Sequence, residues 1–312
     1  MKVLDRKKNP PIVDAVNFKL NLKPYQKFVL DNGVEVYAVD AGAEEVLQTE
    51  WIFSAGNAQE DKNLVAATTN FLLRNGTINK TAFQINEQFD YYGSYINRAC
   101  YNETATITLH SLTRHIDNLL PKVRELITDS VMPQEELSIY QQNMKQRLKV
   151  SLKKSDFVAG RLIDVYLYGE KHPYGKYSSA EDFDALKREE LVDFYKKYYQ
   201  QGKLIIFVAG KLPQNLEQLL NTNFGDLPFA NVIEKETAPV LGTEKKVRIT
   251  NDPDGAQGSI RIARPFPNRH HPDFLKAQIL NALFGGFFGS RLMSNIREDK
   301  GYTYGIHSYL LN

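Results

Sequence analysis

The histidine and cysteine side chains that could bind a metal or transfer a proton are few in this sequence and poorly spaced for either task. The chain has six histidines and one cysteine, Cys100. His110 and His115 lie five residues apart, whereas two ligands on one helical face are three or four residues apart. One cysteine forms neither an intrachain disulfide nor a thiolate cage for zinc. We therefore interpret this histidine pair and the thiol as structural.

The histidines near the C-terminal end and a glycine-rich segment also fail to form a catalytic group. The pair His270-His271 lies in a predicted loop, where a surface role is expected, and His307 lies on a predicted strand without a partner. The glycines of residues 285–289 (GGFFG) are reminiscent of a phosphate-binding loop, but no Lys-Ser/Thr follows them and the preceding element is a predicted helix. We interpret this segment as a flexible turn between two helices.

The composition is that of a packed globular protein with almost no net charge. Of 312 residues, 42% are hydrophobic, and 39 basic residues stand against 37 acidic ones for a net charge of +2. This balance provides no single-sign field to hold nucleic acid or anionic lipid. The most apolar stretch, Leu204 to Ala209, is far shorter than the roughly 20 residues of a membrane helix. Together with the single cysteine, which fits a reducing compartment, these features predict a cytoplasmic protein with neither a nucleic-acid nor a membrane partner.

The order of the elements predicts an α+β fold. Asn32-Gly33 between alternating apolar runs predicts a β-hairpin, and residues 46–53 alternate as a third strand. Further strands are predicted at 94–99, 104–109 and 204–209, and helices at 63–73, 82–92, 113–130, from Pro133 onward, at 157–168 and at 188–199. We expect an antiparallel or mixed sheet with helices packed on one face.

Four segments divide the chain. Residues 1–24 are predicted to form an extended arm, 25–230 a first α+β domain, 231–245 a polar linker, and 246–312 half of a second domain. Within the last segment, strands at 246–250, at 259–263 and from Tyr302, with helices at 272–284 and 290–299, repeat the element order of the first domain. Because this repeat stops after a strand, we expect the second domain to be incomplete, through truncation rather than by nature.

Five segments together carry a resemblance to a known family. They are Asp31-Asn32-Gly33, residues 64–77 (LVAATTNFLLRNGT), His172 to Gly175 (HPYG), residues 194–199 (FYKKYY) and residues 284–304 (FGGFFGSRLMSNIREDKGYTY). In this order and spacing the sequence resembles the insulinase/pitrilysin-type metallopeptidases with the inverted zinc motif. That family also includes mitochondrial processing peptidases and core proteins of respiratory complexes. The resemblance covers almost the whole chain.

The resemblance implies a zinc motif, H-x-x-E-H, on the helix at 64–77, but the required residues are absent. Ala67, Asn70 and Phe71 stand where histidine, glutamate and histidine belong. Alanine and phenylalanine have no donor atom for zinc, and an amide cannot transfer a proton at neutral pH. The helix expected to supply the distal glutamate ligand, residues 138–155, has no carboxylate. We predict that this chain binds no zinc and needs no cofactor, with Phe71 filling the space of the metal.

The same resemblance implies a role for Arg297 and Tyr304, which are seven positions apart as in the family's second domain. There, an arginine and a tyrosine reach over the zinc site, bind substrate and stabilise the oxyanion of the tetrahedral intermediate. A guanidinium and a phenol are both hydrogen-bond donors, and an oxyanion needs preorganised donors. Taken without the resemblance, the two residues would be a surface arginine at a helix end and a tyrosine on a half-buried strand.

Two functional hypotheses follow. In the first, the chain is the subunit without zinc of a two-chain peptidase, inactive alone, which closes the chamber around a peptide substrate. A homologous H-x-x-E-H subunit would supply zinc in this heterodimer, and Arg297 and Tyr304 would act at its site. In the second, the chain is an inert structural or peptide-holding protein, like respiratory-complex core subunits, in which the Arg/Tyr pair is a relic.

Overall fold

A computed structural model describes residues 21–229, 248–251 and 253–311 of the chain. The predicted linker at 231–245 and most of the predicted arm at 1–24 lie outside these residues.

Six strands form a single sheet. They are β1 (Gln26–Val29), β2 (Glu35–Asp40), β3 (Val46–Phe53), β4 (Tyr95–Cys100), β5 (Ala105–Leu112) and β6 (Leu204–Gly210). Their order across the sheet is β1-β2-β6-β3-β5-β4. β2 and β6 run parallel, and all other neighbours are antiparallel. Of the antiparallel or mixed sheet predicted from the sequence, the mixed form is the one present, and β4 is one of its two edges.

Nine α-helices accompany the sheet in the described part of the chain. They are α1 (Val65–Leu72), α2 (Ala82–Asp90), α3 (Ile116–Thr128), α4 (Gln134–Ser151), α5 (Ser155–Tyr168), α6 (Ala180–Ala185), α7 (Arg188–Tyr195), α8 (Leu216–Phe224) and α9 (Phe274–Asn281). Short π-helices follow α7 at Lys196–Gln200 and α9 at Ala282–Gly286, and a third spans Met293–Asp299. 3-10 turns lie at Asn57–Gln59, Thr113–His115 and Pro173–Gly175.

The helices pack on one face of the sheet, as predicted. Directly paired residues of neighbouring strands share a face, and one such row, Val36, Ile206, Trp51 and Ile107, is fully buried. The Trp51 ring lies 5.4 Å from that of Phe224 on α8. Residues of the opposite face are more accessible, and 42% of Phe207 is exposed there. The core therefore lies between one sheet face and the helices.

The predicted strands after residue 245 are not present in the described residues. The helices predicted at 272–284 and 290–299 are found, as α9 with the π-helix that continues it and as the helical segment that ends at Asp299. Residues 259–263 and 302–311 form no strand, and Ile260 and Ile262 are 88% and 93% exposed. Alternation alone does not make a strand, because a strand needs a hydrogen-bonded neighbour. The two-domain repeat is thus only partly visible.

Candidate functional site

The helix expected to carry the zinc motif begins at a buried carboxylate. Leu64, which precedes α1, has a left-handed backbone with φ of 73° and no capping side chain. Instead, the Glu60 carboxylate accepts hydrogen bonds from the backbone N–H groups of Ala66 at 2.9 Å and Leu64 at 3.2 Å. Burial raises the pKa of Glu60 to about 7, although the two backbone donors act in the opposite direction. This contact fixes the start of α1.

Asn70 occupies the position of the general base and is bound on two sides. It is 3% exposed. Its Nδ2 donates to the carbonyl oxygen of Thr106 on β5 at 3.2 Å and to the phenol oxygen of Tyr199 at 3.1 Å. Burial raises the pKa of Tyr199, so the phenol is neutral at physiological pH. Asn70 therefore joins α1 to the sheet and to the π-helix after α7, and it holds no transferable proton.

Phe71, at the position of the second histidine, lies between an aromatic ring and a cation. Its ring centroid is 4.7 Å from that of Tyr140 on α4 and 5.1 Å from the guanidinium carbon of Arg98 on β4. Arg98 also donates from Nη1 to the backbone oxygen of Phe71. Phe71 remains 41% exposed, so it shares this space with the two neighbours instead of filling it alone. Ala67 lies half-buried one turn earlier.

Tyr140 is the functional-site position that sequence reasoning missed. Residues 138–155 contain no carboxylate, but the sequence does not indicate which of them faces α1. The ring contact with Phe71 identifies Tyr140 as that residue. It is 6% exposed, and a second ring, that of Phe183, lies 6.3 Å away. The α4 side of the site is therefore aromatic.

A metal would find few ligands in the part of the chain that the structure describes. No group of three or more His, Cys, Asp or Glu residues that could hold a metal ion occurs there. Cys100 is half-buried with its Sγ 3.4 Å from Asn57 Oδ1, and burial raises its pKa to about 12. The thiol is thus protonated and a poor nucleophile.

The histidines are dispersed over the fold. His110 stacks on Tyr95 with ring centroids 4.5 Å apart, whereas His115 lies beside Tyr92 at 5.2 Å. His172 accepts a hydrogen bond at Nδ1 from the backbone N–H of Tyr174 and so stabilises its own turn. These contacts are structural.

Arg297 and Tyr304 lie on either side of a helix end. Arg297 belongs to the π-helix Met293–Asp299, and Gly301, with φ of 63°, lets the backbone turn away after it. The Arg297 guanidinium carbon is 4.7 Å from the Phe288 ring centroid, and its Nη1 is 3.9 Å from Glu298 Oε1. Tyr304 is 95% exposed. Within the described ranges, no hydrogen bond, ion pair or ring contact connects either residue to α1.

None of the helices in the described residues combines the length and the apolarity that crossing a membrane requires.

Comparison with protein families and curated proteins gives a consistent result. A family model described as the peptidase M16 inactive domain matches residues 185–312. The uncharacterized zinc protease YmxG of Bacillus subtilis is 22% identical over 285 residues, which cover 91% of this chain and 67% of that protein. The non-peptidase homolog YmxG of Helicobacter pylori is 25% identical over 263 residues, or 82% of this chain and 60% of that protein. The chain thus spans about 60% to two thirds of the length of these two relatives.

Solved structures show the same fold. The crystal structure of a peptidase M16 inactive domain from Pseudomonas fluorescens matches with a TM-score of 0.76 at 24% identity, over 91% of this chain and 70% of that one. Pitrilysin matches with a TM-score of 0.61 at 15% identity, over 72% of this chain and 25% of that one.

Proposed function

Because this chain belongs to the M16, or insulinase/pitrilysin-type, family of peptidases and its sequence lacks H-x-x-E-H, we propose that it is the catalytically inert subunit of a two-chain peptidase. In this proposal a homologous subunit with H-x-x-E-H holds zinc and the general base. The present chain, located in the cytoplasm, closes the chamber around a peptide and contributes Arg297 and Tyr304 to the partner's site.

The observation that carries the inert part of the proposal is the set of contacts made by α1. Asn70 is bound to Thr106 and Tyr199, and Phe71 packs against Tyr140 and Arg98. The residues at these two zinc-motif positions, Asn70 and Phe71, therefore take part in the ordinary packing of the protein. A guanidinium beside Phe71 would also repel a divalent cation.

Exposure of Tyr304 supports action on a second chain. Tyr304 is 95% exposed, and its phenol donates no hydrogen bond to any residue that the structure describes. An oxyanion donor works only when it is held in place. Contact with the partner subunit would supply that restraint.

The same freedom of the phenol favours the second candidate function, an inert protein that holds peptides without assisting their hydrolysis. An unrestrained phenol stabilises a transition state poorly. The edge strand β4 supports peptide holding, since it pairs with β5 alone among the described strands.

Reconstitution distinguishes the two functions. The chain is purified alone and after co-expression with an H-x-x-E-H relative encoded in the same genome, and cleavage of a quenched fluorescent peptide library is measured. We expect no cleavage by the chain alone, and a co-purified pair with one zinc and higher activity than the relative alone. Equal activity of the relative with and without this chain would reject the two-chain peptidase and leave peptide holding. Zinc-dependent cleavage by the chain alone would reject both.

A further inference from the structure

Two arginines lie together between α1 and the edge strand β4 without a carboxylate to pair with. Arg98 donates from Nη1 to the backbone oxygen of Phe71, and Arg74, just beyond the end of α1, donates from Nη1 to the backbone oxygen of Ile96 at 3.0 Å. Neither guanidinium forms an ion pair with any residue in the described ranges. Asp90 acts on Arg74 only as a more distant charge. Two half-buried positive charges therefore remain uncompensated.

Arg98 is the more enclosed of the two. Burial, with a further contribution from the charge of Arg74, lowers the pKa of its guanidinium to about 10. Its Nε is buried and has no hydrogen-bond partner among the described residues. Its Nη2 donates no hydrogen bond within the same residues. Nε and Nη2 form the side of a guanidinium that binds a carboxylate through two parallel hydrogen bonds. That side of Arg98 is unused.

The backbone next to Arg98 is partly open at the edge of the sheet. The backbone N–H of Tyr101 donates to Thr104 at 2.7 Å, so in the antiparallel register the odd-numbered residues of β4 exchange hydrogen bonds with β5. The even-numbered residues Ile96, Arg98 and Cys100 direct their backbone groups to the open edge. Arg74 donates to the Ile96 carbonyl, and Asn97 Oδ1 accepts from the backbone N–H of Arg98 at 2.9 Å. The carbonyls of Arg98 and Cys100 remain. An extended chain beside β4 would pass next to the two guanidiniums.

We propose that Arg98 and Arg74 form a carboxylate-binding site at the open edge of β4, which selects extended peptides that carry a carboxylate at this point. The inference rests on the proposed peptide-holding role and adds the chemistry of the preferred ligand. The carboxylate binds the Nε and Nη2 side of Arg98, and the exposed ring of Phe71 turns aside to admit it. Arg74 adds a second positive charge. The carboxylate comes either from the C-terminus of the peptide or from an acidic side chain.

Three fluorescein-labelled nine-residue peptides of alternating Val and Thr test the site. One has a free C-terminal carboxylate, one is amidated and carries a central Glu, and one is amidated with Gln in its place. By fluorescence anisotropy with the full chain, we expect a carboxylate peptide to bind about tenfold more tightly than the neutral one. The first two peptides distinguish the C-terminus from the side chain as the source.

Matched variants assign the effect to Arg98. Arg98→Gln should abolish the preference, and Arg98→Lys should keep only part of it, because lysine retains the charge without the two parallel donors. Arg114→Gln, which removes an exposed arginine elsewhere, should change nothing. Circular dichroism verifies that each variant is folded. If all three peptides bind the native chain equally well, the carboxylate site is wrong, while peptide holding stands.

A second measurement does not depend on peptide binding. The Nε–H signal of Arg98, assigned in nitrogen-15 spectra by its loss in Arg98→Lys, should shift on titration with N-acetylglutamate and not with N-acetylglutamine amide, which has no carboxylate. An unchanged signal would mean that Arg98 only caps the end of α1, and the site would be rejected. A shift without binding of any peptide would retain the site and reject the peptide-holding function.

Discussion

Asn70 on α1 and Tyr199 on the π-helix after α7 are joined by a hydrogen bond of 3.1 Å from the amide Nδ2 to the phenol oxygen. Both side chains are buried, at 3% and 0% exposure. In active relatives, the resemblance places the glutamate that transfers the proton at the position of Asn70. Here the position holds two elements together, so its loss should affect stability.

Asn70→Ala should lower the free energy of unfolding by about 1–3 kcal/mol, because it removes two buried hydrogen bonds. Chemical denaturation measures the change. Tyr199→Phe should also destabilise the protein, and the double variant should lose less than the sum of the two single losses, since the residues share one hydrogen bond. Asn143→Ala, on the exposed side of α4, is the control and should stay within about 0.5 kcal/mol of the native chain. Strict additivity would show that the hydrogen bond contributes nothing to stability.

Glu60 should make stability depend on pH. Burial raises its pKa from an ordinary value of 4.5 to about 7, so the folded state holds this proton more tightly than the unfolded state. The contribution of Glu60 to the free energy of unfolding is therefore fully present below about pH 4.5, and it is lost as the pH rises to about 7. The change is on the order of 2–3 kcal/mol.

Urea denaturation between pH 4.5 and 7.5 measures this dependence. Glu60→Gln cannot titrate, so the difference in unfolding free energy between variant and native chain should shift across this window in favour of the variant. Glu87→Gln, at an exposed position of α2, serves as the control and should follow the native curve. Parallel curves for Glu60→Gln and the native chain would show that Glu60 is ionised at the same pH in both states.

The sequence was sufficient for the sheet and for most helices of the first domain, because these elements carry strong local signals. Asn32-Gly33 correctly places the first hairpin, and the β-branched run at 104–109 lies within β5. The helices α6 and α8 were missed. In α6, six residues are too few to show a helical period. The predicted strand at 259–263 was wrong because the sequence contains the alternation but not the neighbouring strand.

The candidate site was predictable only in part. The sequence indicates which residues lie on α1, but not which residues of other elements they contact. The resemblance assigns Ala67, Asn70 and Phe71 to one helix, and all three lie on α1. That Tyr140 meets Phe71 depends on how α4 is rotated against α1, which no local pattern determines. The contact of Arg98 with the end of α1 likewise joins residues far apart in the chain. Packing between elements, not propensity, decides both contacts.

Restoring the ligands should restore zinc binding, and tight binding should require a substitution at Tyr140. The triple variant Ala67→His, Asn70→Glu, Phe71→His supplies two histidines, whereas zinc in catalytic sites has three protein ligands. Because the Tyr140 ring lies 4.7 Å from that of Phe71, adding Tyr140→Glu should supply the third ligand. We expect the quadruple variant to bind one zinc per chain at least about tenfold more tightly than the triple variant, measured by competition with a chromogenic chelator.

The matched control places the glutamate one turn away on the same helix, as Met144→Glu in the triple variant. If this chain and the Tyr140→Glu chain bind zinc equally, α4 presents no defined ligand position to α1, and the identification of Tyr140 is wrong. Arg98→Ala added to the quadruple variant should tighten zinc further, because it removes a positive charge beside the metal.

Tyr304 should matter for turnover in a reconstituted two-chain peptidase and not for assembly. Loss of one oxyanion donor typically lowers kcat by about 10²–10³. Tyr304→Phe removes only a hydroxyl, so it should lower kcat with little change in KM. Arg297→Ala should in addition raise KM, because the guanidinium of Arg297 can also bind substrate carbonyls in the ground state.

Tyr302→Phe is the matched control, since Tyr302 is also exposed, at 78%, but lies off the seven-residue spacing. Steady-state kinetics on pairs verified by size-exclusion chromatography give both constants. If Tyr304→Phe and Arg297→Ala turn over as fast as Tyr302→Phe, the pair donates nothing to the transition state, and the structural, peptide-holding function takes its place.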